Sequence, residues 1–130
     1  MTLSMRALSI RQPWAELIMR RLKTVEYRSR FTRIRGRVYV YASLGGPKNL
    51  DPDTERFCKK KYGVVFLPNG RAAHCLDYDR LPRGVLVGTV EVVDCQGEDG
   101  KFEWHLRKPE RALRLLKPKK HPQPGFFYPF

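Results

Sequence analysis

Apolar and polar residues alternate along this chain with two different periods, and the changes of period mark out its elements. RALSI, residues 6–10, alternates briefly and predicts a short strand. Pro13 suits a first helical turn, where its missing N–H costs nothing. Trp14, Leu17 and Ile18, with Leu22 beyond them, recur at helical spacing, and Glu16 lies four residues before Arg20, so a helix is predicted over 13–21. Period two returns in TVEYR, residues 24–28, placing Thr24, Glu26 and Arg28 on one face and Val25 and Tyr27 on the other. GRVYVYAS, residues 36–43, is β-branched and aromatic, opens on Gly36, and is the clearest strand of all.

LGGPKNLDP then reads as a loop. Asp51 before Pro52 is a good helix start, Asp53 and Glu55 favour the positive end of the dipole, and Lys59–Lys61 with Gly63 favour a stop. Residues 63–83 are irregular apart from the apolar VVFL. RGVLVGTVEVVDC, residues 83–95, predicts a long and mostly buried strand with Gly88 as a bulge site, and KFEWHL, residues 101–106, predicts another. PERALRLL, residues 109–116, predicts a helical turn, KPKKHPQPG a basic loop broken by prolines, and FFYPF an apolar strand edge. About five strands and two helices with short connections make a small α+β barrel or sheet. At 130 residues and 15.2 kDa the chain suits one domain, 1–130.

Charge changes this picture more than composition does. The chain is 42% hydrophobic, which excludes an intrinsically disordered class. Lys and Arg number 26 against 13 Asp and Glu, a net charge of +13, and the sequence pI is about 10.1. Residues 1–43 carry ten basic and two acidic side chains, so most of the excess sits in the first third. A focused basic excess points to a polyanion, above all RNA or another nucleic acid. The first twenty residues lack the apolar run of a secretory signal, and no stretch is long enough to span a membrane. Cys58, Cys75 and Cys95 are odd in number, widely spaced and free of CxxC pairs, as expected of reduced thiols in a cytoplasmic protein. No cofactor and no metal site is expected: His74 and Cys75 with Cys58 match no usual zinc spacing.

The candidate chemistry gathers between residues 9 and 37. Arg28 offers a planar fork for phosphate or a base edge, Lys23 offers a mobile point charge, and the arginines that follow, Arg30 among them, extend the field. Glu26, two positions from Arg28 on one strand face, can orient that fork or accept an amino hydrogen from a base. The plainer alternative is a surface ion pair worth about 0–1 kcal/mol. Ser9 and Gln12, at the strand-to-helix turn, add neutral hydrogen bonds. Trp14 is a candidate stacking surface, although Leu17 and Ile18 at helical spacing favour a core position for it.

LSIRQPWAELI, KTVEYR and GRVYVYAS, followed by GVLVGTVEVVDC and FEWHL, together resemble the ASCH domain family. The resemblance implies a small PUA-like mixed β-barrel of about five to six strands with two or three short helices, associated with RNA or a modified nucleoside. A G-x-K-x-x-[hydroxyl or acid]-x-R pattern lines a cleft in that family. Here Lys23, Glu26 and Arg28 match it, while Arg21 stands where glycine is usual and would face a left-handed backbone cost. Some small members hydrolyse the amide of acylated cytidine with a lysine, a threonine three residues later, and a distant glutamate. Lys23 matches the first of these, Glu91 is the candidate for the last, and Glu26 replaces the threonine. A carboxylate is no hydroxyl nucleophile, and Thr24 stands two residues out of register. A hydrolase (an amidohydrolase on N4-acylated cytidine, or a ribonuclease) would therefore rest on Lys23 and Glu26 as acid and base. A third class is an adaptor whose basic face meets an acidic protein partner.

Overall fold

A computed structural model describes residues 5–130. Its main sheet has six strands in the order β2 (Val25–Arg28), β7 (Lys101–Leu116), β6 (Val85–Glu98), β3 (Gly36–Ala42), β1 (Ala7–Ile10) and β8 (Phe126–Phe127). β1 runs parallel to β3, with Ala7 opposite Tyr39 and Ile10 opposite Ala42, while the other pairings are antiparallel. β6 and β7 form one long hairpin. Its turn is Asp99-Gly100, both with positive φ (53° and 74°), the geometry that matches the twist of the flanking strands.

Two strands lie at the edges, β2 and β8. They are too short to zip together, so the expected barrel is not closed by backbone pairing among the described residues. Side chains span the gap instead. Trp104 of β7 stacks on Phe126 of β8 with centroids 5.3 Å apart and planes at 10°, and Arg28 of β2 donates from Nη2 to the Ser9 carbonyl of β1 at 2.7 Å. The sheet thus coils until its two ends share one core. The architecture is mixed α+β, roughly that of a small PUA-like fold.

That core holds Leu8, Ile10, Val38, Val40, Val90, Val92, Trp104 and Leu106. Helix α1 (Trp14–Met19) presses Ala15, Ile18 and Met19 into it. The close approach demands glycine at position 88, because a Cβ there would stand 2.6 Å from Met19 Sδ and 2.3 Å from the Glu110 carbonyl oxygen. Register shifts bracket Gly88, as the sequence predicts for a bulge. A second cluster of Leu17, Cys58, Val64 and Leu76 ties α1 to helix α2 (Pro52–Tyr62) and to a small parallel pair, β4 (Val65–Phe66) and β5 (Cys75–Leu76). α2 begins and ends as its sequence predicts: Asp51 accepts from the Thr54 N–H, and Gly63 closes it with φ 68°.

Two sequence expectations change. The segment 109–116 is no helical turn but the second half of β7. Its Ala/Leu spacing favours helix, yet the β6 strand templates it, pairing Gly88 with Arg111 and Leu86 with Leu116. α1 is also shorter than 13–21. Pro13 precedes it, and Arg21 takes up a left-handed conformation (φ 65°) just beyond its end, the role glycine usually fills.

Candidate functional site

A cleft of about 590 Å³ opens between α1, β2, the β3 exit and the chain just before β8. Its lining comes from four stretches of the sequence: 9–14, 26–28, 41–45 and 121–125. Ser9 and Arg11 stand at and after the end of β1, Trp14 begins α1, Glu26 and Arg28 come from β2, and Tyr41 and Ser43 from the end of β3. The last wall is 121–125, fastened to β1 by two bonds: Ser9 Oγ donates to the Gln123 carbonyl at 2.6 Å, and Ser9 N–H donates to the Gly125 carbonyl at 2.9 Å.

The alternation of β2 sets Glu26 and Arg28 inward and Tyr27 outward. Glu26 is only 8% exposed. Arg28 Nε donates to Glu26 Oε2 at 2.8 Å and Nη2 lies 2.7 Å from the same oxygen. The guanidinium also lies over the Trp104 ring, 5.4 Å from its centroid. Glu26 Oε1 faces the Lys23 ammonium at 3.4 Å. Lys23 is 5% exposed and donates to the Val25 carbonyl, with the Trp14 and Tyr27 rings 5.5 Å and 5.0 Å away. Burial holds its pKa below the ordinary lysine value, and Glu26 opposes part of that shift. One carboxylate thus holds two cations, one buried outside the cleft lining and one in the cleft wall.

The remaining predicted residues separate. Gln12 is 2% exposed and engaged at both ends of its amide, donating to the Pro82 carbonyl at 2.9 Å and accepting from the Glu16 N–H at 3.0 Å. It lies outside the cleft lining. Arg21 turns the other way, donating to the Pro109 carbonyl at 3.3 Å beside a separate recess, which Lys23 and Thr24 also line. Thr24 precedes β2 and is exposed, whereas Glu26 is buried, so the two do not share a face as the period predicts. Arg30 is exposed and supplies its carbonyl to Trp104 Nε1 at 2.9 Å. Glu91 is held by Arg107 at 2.7 Å and Arg37 at 3.8 Å, and it is not part of the cleft. Trp14 belongs to both readings made of it, since it lines the cleft and packs on both core clusters.

Sequence reasoning missed Arg11, Tyr41, Ser43 and the 121–125 wall with His121. Arg11 is exposed, and while its carbonyl accepts from the Ala15 N–H at 3.2 Å, its side chain makes no hydrogen bond or ion pair among the described residues. Its signal was present in LSIRQPW, a charge set between strand and helix. The wall lies in the basic loop KPKKHPQPG, which by sequence could equally grip phosphates or be a solvated connection. Its place beside β1 carried no signal, because Gln123 meets a residue 114 positions away.

This cleft falls within a long match to a known family: the family model for the ASCH domain matches residues 8–123. The chain belongs to the ASCH domain family. Two relatives are "Activating signal cointegrator 1" from Homo sapiens and from Mus musculus, each 37% identical over 92 residues. The match covers 68% of this chain but only 14% of each relative. In this ASCH domain the three cysteines are free thiols, and burial pushes the Cys58 thiol up to about 11. Among the described residues no group of three or more His, Cys, Asp and Glu gathers as a metal site would. No helix among them is long and apolar enough to cross a membrane.

Proposed function

We propose that this chain, as one ASCH domain over 1–130, binds nucleic acid, taking RNA or a modified nucleoside in the basic cleft beside β2. One observation carries the reading: Arg28 is held from two sides, by Glu26 and by the Ser9 carbonyl, in the wall of a cavity of about 590 Å³. Sites for small ligands span roughly 300–1,000 Å³. A guanidinium fixed in advance loses little freedom on meeting a phosphate or a base edge. Arg11, with no protein partner, adds a second anion-seeking group, and Trp14 offers a ring at the rim. Two arginines, Arg11 and Arg28, thus share the cleft lining with one carboxylate, Glu26.

The test is fluorescence anisotropy with short single-stranded RNAs across a salt series. The expected result is binding that weakens linearly in log salt, as counterion release requires, and that Arg28→Ala weakens at least tenfold. Absence of binding at low salt, or binding indifferent to salt, overturns the reading.

The buried Lys23 beside Glu26 favours one further reading, a hydrolase acting on an N4-acylated cytidine. Its lowered pKa brings the amine closer to the range in which it exchanges protons. Release of cytidine from N4-acetylcytidine, lost in Lys23→Ala, is the result that would establish it; no turnover at any pH removes it.

A further inference from the structure

The cleft ends at Trp14, but the aromatic surface does not. Trp14 meets Phe57 of α2 edge to face at 6.1 Å, and Phe57 meets Tyr62 at 6.1 Å in the same way. Tyr27, on the outer face of β2, completes the group through Lys61. That ammonium accompanies all three outer rings, lying 4.8 Å from the Tyr27 centroid, 5.6 Å from Phe57 and 5.9 Å from Tyr62, and it donates to the Tyr27 hydroxyl at 2.8 Å. The Lys23 ammonium also lies 5.0 Å from the Tyr27 centroid, yet the Tyr27 and Phe57 rings both stay partly in solvent. Tyr27 is 50% exposed and Phe57 46%. Lys59 and Lys60 precede Lys61 on the last turn of the helix.

The core accounts for Trp14 and Tyr62, which pack against it, but not for Phe57 and Tyr27. Of α2, only Cys58 is fully buried, and a ring left half in water forfeits much of the stabilisation that burying it would give. Open ring faces interleaved with lysines are what a single strand of nucleic acid requires: every base offers a face to stack, and every phosphate a charge to neutralise. A duplex hides its base faces, and an acidic peptide has none. Resting on the cleft reading above, we propose that the α2 face is the continuation of the nucleic-acid track: a single strand leaves the cleft at Trp14 and lays its next bases on Phe57 and Tyr27. Lys61 exchanges the Tyr27 hydroxyl for a backbone phosphate.

The experiment compares fluorescein-labelled oligouridylates of three and ten nucleotides at fixed low salt. The wild-type domain binds the decamer more tightly than the trimer by about tenfold or more, the stacking of one or two bases. The double variant Tyr27→Ala/Phe57→Ala loses that advantage and keeps trimer affinity, whereas Arg28→Ala weakens both lengths. Tyr27→Leu/Phe57→Leu, which keeps apolar volume but removes the rings, gives the same pattern if the alanine pair fails to fold. Equal affinity for both lengths in the wild type, or a decamer unaffected by losing the rings, overturns the proposal while trimer binding keeps the cleft reading intact. Displacement of the decamer, but not the trimer, by a polyglutamate peptide assigns the face to an acidic protein and also overturns it. Failure of the trimer to bind at all brings down the cleft reading itself.

Discussion

Among the described residues two carboxylates are buried, Glu16 at 5% exposure and Glu26 at 8%, and each is held by two cations. Glu16 receives Arg20 Nε at 2.6 Å and both terminal nitrogens of Arg111 at 3.0 Å, so it ties α1 to β7. Arg20 turns its other donors to the carbonyls of Ala72, Ala73 and Cys75, pinning the chain that leads into β5. Glu26 is bonded almost as fully, yet its arginine stands in a cavity wall. The chemistry is the same and the consequence differs. Arg20 spends its remaining donors on backbone carbonyls and fastens elements together, whereas Arg28 stands in the wall of the cleft of about 590 Å³, where its charge meets whatever enters.

The comparison breaks most visibly at Glu16. Glu16→Ala leaves two arginines without their acceptor and releases the 72–75 segment, and should destabilise the fold by about 3 kcal/mol in urea denaturation. Arg28→Ala should act in the opposite proportion. We expect a small change in unfolding midpoint but at least a tenfold loss of RNA affinity, and a salt slope shallower by about 1. If both variants alter stability alike and leave binding unchanged, the two carboxylates have the same role. Arg11→Ala removes a side chain with no protein partner, so its stability should stay within about 0.5 kcal/mol of wild type while affinity falls. The smallest effect is spectroscopic. Lys23 should titrate below ordinary lysine by NMR, and lower again in Glu26→Gln, since the carboxylate is what raises it. The unfolded lysine keeps its proton up to about 10.4. Through the window below that value the unfolded chain binds more protons than the native one, so the contribution of Lys23 to stability rises with pH.

Much of this was legible in the chain. Asp51, Pro52 and Gly63 mark α2 because caps are local chemistry, and the β-branched runs mark β3 and β6 because both are buried. The pairing of Glu26 with Arg28 followed from period two alone. What escaped detection depended on distant partners. Residues 109–116 look helical by spacing and extend because β6 lies beside them. Thr24 left the face of Glu26 because β2 begins one residue later. Gln12 looked like a ligand donor, and only the neighbouring Pro82 carbonyl and Glu16 N–H reveal an amide already engaged at both ends. The family pattern led to Lys23, Glu26 and Arg28, and the basic loop at 117–125 suggested a phosphate grip, but no pattern could place that loop against β1.

That wall has a consequence for how the molecule assembles. The β6–β7 hairpin needs only a two-residue turn to begin pairing, whereas Ser9 meets Gln123 only after a loop of more than a hundred residues has closed. By loop-closure entropy alone, the cleft is expected to be completed after the hairpin. A nucleic acid that touches Arg28 on one side and the 121–125 segment on the other would staple that late contact, and every complex formed would draw the folding equilibrium with it. Ligand and fold would then stabilise each other, and the domain would be most resistant to unfolding when its cleft is occupied.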